Sequence, residues 1–188
     1  MSMTSNRMLI ACLGAFLVSG TLVACGVFAA LSRANGDDSD RLGSGRQAEQ
    51  AAMAVVRQYY DAVDEIGADG GAHPQRIGRF VTQMHGSQLA TAFAGMRKAG
   101  WKTSGKSVIV GDELIGRRTD ETTGDAEVGV RVCLDVSRTR VIGAAGDEQT
   151  PPRRTSRVPY DVWLTTSGAV GAQLRVESTR VREELAPC

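Results

Sequence analysis

The chain reads as an α+β protein in which N-terminal helices pack on a curved antiparallel sheet of about four long strands, preceded by a membrane anchor helix. Three observations predict this. Met8 to Leu31 contains no charged residue. Between Gln47 and Gly100 the apolar residues recur every three or four positions, the period of an amphipathic helix. From Lys106 onward the period drops to two, the period of a half-buried strand.

The uncharged run comes first. Spanning a hydrocarbon core takes about 20 apolar residues, and Met8–Leu31 is long enough. The same run contains Leu22-Val23-Ala24-Cys25-Gly26, a spacing similar to the bacterial lipobox, so a lipoprotein signal ending at an acylated Cys25 is the second reading. Val27-Phe28-Ala29-Ala30-Leu31 stays apolar after Cys25, which favours a span. Arg7 precedes the run and Asp37, Asp38 and Asp40 follow it, giving an inside N-terminus and an outside C-terminus. The expected organisation is a cytoplasmic n-region over 1–7, a transmembrane signal anchor or lipoprotein signal over 8–31, a flexible stalk over 32–46 and one extracytoplasmic domain over 47–188. The protein is thus expected at the cell membrane, single-pass or lipid-anchored, with its C-terminal domain outside.

Composition narrows the partners. The net charge of +1 supplies no field to draw nucleic acid onto the surface. The only histidines are His73 and His85, no Cys-x-x-Cys occurs, and no metal site or cofactor is expected.

In the domain, the first helix is expected from Gln47 to Ile66. Its stripe is Ala52, Val55, Val56, Tyr59, Tyr60, Val63 and Ile66, and Gly67-Ala68-Asp69-Gly70-Gly71 ends it. Pro74 opens a short second helix over Gln75–Thr82 that buries Ile77, Phe80 and Val81. Ser87 caps a third, with Leu89, Ala92, Phe93 and Met96 on one face, and Gly100 stops it. Trp101 is expected to pack back over the helix end. Val108, Val110 and Leu114 mark a strand that bends at Gly111, and Asp120–Asp125 is a turn. Val128, Val130, Val132, Leu134 and Val136 alternate without a break. A polar excursion from Arg138 to Arg157 holds a short ribbon at Val141-Ile142 and a basic patch of Arg153, Arg154 and Arg157. Val158, Tyr160, Val162 and Leu164 form the next strand. Val170, Ala172, Leu174 and Val176 form the last.

This layout resembles the cone-shaped nuclear-transport-factor-like, or cystatin-like, fold. The resemblance is carried by the opening helix Ala51-Ala52-Met53-Ala54-Val55-Val56-Arg57-Gln58-Tyr59-Tyr60-Asp61-Ala62, the strand Val130–Ser137, and a closing strand that runs to Pro187-Cys188. It is similar to membrane-anchored outer-surface proteins of that fold in actinobacteria, a source that the excess of arginine over lysine also suggests. The fold hosts isomerases, cyclases, binding modules and scaffold subunits of conjugation machines, so it fixes no function by itself.

The resemblance implies that chemistry, if present, uses a Tyr, Asp or His facing the cone, which makes Tyr59, Tyr60, Asp61 and His85 the candidate ligand-binding residues. No residue is assigned as catalytic. The leading expectation is a non-enzymatic interaction or assembly module with a protein partner in a cell-envelope or conjugation/secretion complex. The alternatives are a lipoprotein that binds a small apolar ligand in the cone cavity, or an isomerase- or cyclase-like enzyme. A disulfide between Cys133 and Cys188 is also expected. Cys133 falls on the strand face opposite its valines, beside Arg131 and Asp135, where a thiol serving only as a small hydrophobe is out of place, and the outer compartment is oxidising.

Overall fold

The structure, a computed structural model, describes residues 43–167, 173–182 and 188. The Met8–Leu31 run and Cys25 lie outside the described residues, and among those described no helix is long and apolar enough to cross a membrane.

Helix α1 (Gly45–Ala68) starts slightly before the expected Gln47 because Ser44 and Gln47 form a capping box. The Gln47 side chain accepts from the Ser44 N–H at 2.7 Å and the Ser44 hydroxyl accepts from the Gln47 N–H at 3.4 Å. Its predicted stripe is the buried one: Ala52, Val56, Tyr59 and Ile66 face the core, whereas Asp61 is exposed on the opposite side. After α1, the Gly71 N–H reaches back to the Ile66 carbonyl at 2.8 Å. Gly71 has φ +80°, and a Cβ there would stand 2.4 Å from the Phe93 carbonyl oxygen, so only glycine serves.

The second helix ends, and the third begins, earlier than expected. The second is a 3-10 helix over Pro74–Arg79, shorter than the predicted Gln75–Thr82. Phe80 and Val81 leave it to meet the sheet edge: Val81 bridges Val176 in parallel, the Val176 N–H donates to the Phe80 carbonyl at 2.8 Å, and the Thr82 N–H donates to the Val176 carbonyl at 3.0 Å. Thr82, held extended at φ −67° and ψ 160°, then caps α2 (Gln83–Ala99) with its hydroxyl on the His85 N–H. Ser87 is therefore not the cap; its hydroxyl donates to the Gln83 carbonyl inside the helix. Gly100 ends α2 at φ +68°, as predicted. Trp101, just beyond that end, remains 46% exposed.

Two short strands, β1 (Lys102–Ser104) and β4 (Arg140–Ile142), pair antiparallel, with Thr103 opposite Val141. The main sheet is antiparallel with order β2-β3-β5-β6, built from β2 (Val108–Thr119), β3 (Ala126–Asp135), β5 (Arg157–Thr165) and β6 (Arg175–Val181). In β2 the predicted face is reversed at its start, while Leu114 lies inward as expected. Val108 and Val110 are exposed, while Ile109 and Leu114 pack on the core. Register shifts between Ile109 and Gly111 and between Leu114 and Gly116 break the simple alternation. β6 lies later than predicted. Leu174 and Val176 are buried as expected, and Val170 and Ala172 lie outside the described residues.

On the inner face of this sheet, Val128, Val130, Val132, Val162, Leu164 and Val176 pack with the α1 stripe, Phe80 and Phe93 into one core. The outer face is built otherwise. Gly116 pairs with Gly129 and Gly129 with Trp163, and the indole lies so close that a Cβ at Gly129 would stand 2.9 Å from it. Below it Asp161, buried, accepts from Arg131 Nε and from Arg182 Nη1, each at 2.7 Å, while Arg131 also reaches Glu113 at 2.7 Å. At the next step along the face, Cys133 is joined to Cys188 by a disulfide with a Cα–Cα separation of 5.8 Å, the pairing expected from the sequence.

Candidate functional site

Three of the four candidate ligand-binding residues come together under the start of α2, and one does not. Tyr59 and Tyr60 enter from α1 with their rings edge-to-face at 5.0 Å. His85 enters from the first turn of α2, its ring centroid 5.9 Å from that of Tyr59. Asp61 points away into solvent. The cluster also takes in Tyr160 from β5, 6.2 Å from Tyr60, and the hydroxyl of Thr179 from β6, which bonds the Tyr59 phenol.

His85 has a contact at each ring nitrogen. Its Nδ1 lies 3.4 Å from Gln88 Oε1 and its Nε2 lies 3.3 Å from the Tyr59 hydroxyl. A neutral ring satisfies both if Nδ1–H donates to Gln88 and Nε2 accepts from Tyr59. Burial holds the His85 pKa below its ordinary value, with the Gln88 bond opposing the shift. Burial also pushes Tyr59 up to about 12 and Tyr60 well above its usual range. The Tyr60 hydroxyl is buried and has no hydrogen-bond partner among the described residues. Burial favours the neutral form of each of these groups, and among the described residues no carboxylate joins them.

The rings occupy the space between helices and sheet. Two concavities of the described surface lie beside α2. One, of about 490 Å³, runs between the 3-10 helix and α2 and includes Ile77, Val81, Ala90 and Arg175 in its lining. A second, of about 760 Å³, shares Thr82, Gln83, Ser87 and Arg175 with the first and adds Gln88, Thr165 and Glu177.

Sequence reasoning missed Gln88, Thr179 and Arg175. Gln88 is three residues beyond His85, one helical turn, and a helix start at Thr82 instead of Ser87 would have paired them. Thr179 and Arg175 carry no local signal, because their places depend on where β6 meets Val81. The basic patch is divided: Arg154 turns inward to the Val136 carbonyl at 2.6 Å and to the Thr139 carbonyl, and Arg157 pairs with Asp135 at 3.4 Å. His73 is exposed with φ 54°, just before the 3-10 helix. Among the described residues, no group of His, Cys, Asp or Glu is placed to hold a metal ion.

No family profile and no curated protein matches the chain. Among solved structures the fold is similar to the intermembrane space region of the chloroplast protein ARC6, at TM-score 0.52 and 8% identity over 71% of this chain and 95% of that one. A periplasmic fragment of TraM aligns at TM-score 0.47 and 10% identity over 71% of this chain and 96% of that one. At such identity the first likeness shows a shared fold alone, and the second supports no argument. The class established is thus an α+β domain with helices on one face of an antiparallel sheet, closed by a disulfide on the other.

Proposed function

We propose that the protein is a membrane-anchored, extracytoplasmic interaction or assembly module of a cell-envelope or conjugation/secretion complex, built on a nuclear-transport-factor-like cone. The observation that carries this reading is the cluster of aromatic rings in the interior. Tyr59, Tyr60, Tyr160 and His85 stand where an enzyme or carrier of that fold would keep its cavity, and Asp61 is turned away from them. An apolar ligand in the cone, or an isomerase-like reaction, would need space that those rings hold.

Two features support the compartment and the partner. The Cys133–Cys188 disulfide persists where thiols are not kept reduced, which fits a domain outside the cytoplasm. The first stretch of the β2 edge carries Val108 at 50% and Val110 at 46% exposure on a strand whose far side pairs with nothing among the described residues, the kind of surface another chain covers. The test places a photo-crosslinking amino acid at Val110 in the full chain in intact cells, with Arg153 as control. One discrete adduct specific to Val110, degraded by protease added to spheroplasts, is the expected result. No adduct at Val110, or protection from the protease, would defeat the reading.

A further inference from the structure

Arg175 stands apart from the other half-buried arginines of the described residues. Arg131 and Arg182 bind Asp161, Arg76 binds Asp69, and Arg154 binds two backbone carbonyls. Arg175 makes no ion pair or hydrogen bond among the described residues, and its Nε is buried without a partner. A guanidinium is charged at every accessible pH and carries five donors; the residue is half-buried, and the one donor shut away from water, Nε, is costly unless an acceptor arrives from elsewhere. The surroundings say what kind of acceptor. Arg175 lines the groove of about 490 Å³ between the 3-10 helix and α2, together with Pro74, Ile77, Val81 and Ala90, whose contacts are apolar. Gly78 leaves that groove open, since a Cβ there would meet nothing within 4 Å. On the other side of Arg175 lies Glu177, in the neighbouring depression, where its charge repels an anion. The favourable position for a negative group is therefore on the apolar side, next to the positive end of α2.

We propose that the groove between the 3-10 helix and α2 binds a small apolar molecule with a carboxylate or phosphate head, the head paired with the Arg175 guanidinium and the chain lying against Ile77, Val81 and Ala90. Such a site has the usual makeup of a ligand groove, apolar walls with one convergent charged group. It lies apart from the aromatic cluster and is independent of the protein partner proposed above.

The full chain in phosphatidylcholine nanodiscs is titrated calorimetrically with hexanoate, hexyl phosphate, hexanol and acetate, with empty nanodiscs as the blank. Saturable binding of hexanoate or hexyl phosphate at least tenfold tighter than hexanol and acetate is expected, and whichever is tighter identifies the head group. Arg175→Gln should weaken that binding at least tenfold. Gly78→Leu, which fills the groove and leaves Arg175 in place, should also abolish it while thermal unfolding stays as in the wild type. Equal binding by Arg175→Gln and wild type, hexanol binding as tightly as the anions, or no saturable binding of either anion would overturn the proposal. A Val110 adduct in cells would be unaffected by any of these outcomes.

Discussion

The two faces of the four-stranded sheet are made from the same strands and held by different forces. On the inner face Val128, Val130, Val132, Val162 and Leu164 are fully buried, each interchangeable in kind with its neighbour. Their contribution is area removed from water, about 1.5–3 kcal/mol for each buried Val or Leu side chain. On the outer face the positions between them hold Gly129, Arg131, Cys133, Asp161 and Trp163, and each is held by specific partners. The difference follows from the helices. α1 and α2 cover the inner face, so non-directional burial suffices there, whereas nothing among the described helices packs on the outer face. Cohesion there comes from covalent, ionic and close-packed pairs.

The largest break in that comparison is covalent. Cys188→Ser opens a crosslink with sequence separation 55, which the chain-entropy treatment values at about 4 kcal/mol. Urea unfolding of the full chain in detergent should show that loss, and reductant should bring the wild type to the same midpoint. An unchanged midpoint would mean that the outer face does not depend on its disulfide.

On the inner face, Leu164→Ala should cost about 3 kcal/mol, as lost transfer energy plus a cavity. The adjacent outer-face change sharpens the contrast. Gly129→Ala pushes a methyl into Trp163 and should cost about 2 kcal/mol by overpacking. In a Trp163→Ala background the same change should cost almost nothing, because its opponent is gone. A cycle in which the two substitutions simply add would disprove the Trp–Gly contact as the reason for glycine.

The smallest effects are in pH, and they separate the faces again. His85, inside, has a pKa below its ordinary 6.5. The unfolded chain then takes up a proton that the folded chain refuses, so stability falls as pH drops through 6.5 toward the folded value. His85→Gln should flatten that slope. Asp135, outside, is held below 3.8 by the Ser137 hydroxyl and N–H, with Arg157 adding to the effect. Its contribution is present above 3.8 and is lost only as pH falls further. Between pH 4.5 and 7 the slope of stability against pH should therefore change with His85→Gln and not with Asp135→Asn, which shifts the whole curve evenly.

Where the sequence was legible, the signal was local. The stripe of α1, the alternation of β3 and the stop at Gly100 each depend on residues within one element, and the structure carries them at nearly the expected positions. Cys133 could be paired with Cys188 because a cysteine on the polar face of a strand contradicts its own neighbours. The illegible parts were settled between elements. Ser87 and Thr82 are both competent helix caps, and Thr82 prevails because its N–H is already held by Val176. The alternation of β2 predicts Val108 and Val110 as core, and the shifts in its pairing with β3 turn them outward.

The candidate site divides in the same way. That Tyr59 and Tyr60 face inward follows from the period of α1 alone, because a helix buries one stripe whatever it packs against. That His85 joins them, neutral and bonded to Tyr59, follows from the tertiary cap at Thr82, and that Asp61 stays outside follows from the stripe that buries its neighbours. Gln88, Thr179 and Arg175 reach their places only when β6 meets the turn at Val81. Periodicity and capping chemistry are carried within a turn or two of chain, so the sequence determines them directly. Register and burial of single polar groups are decided by partners far away in the chain, whose competition is resolved only when the sheet and helices close on one another.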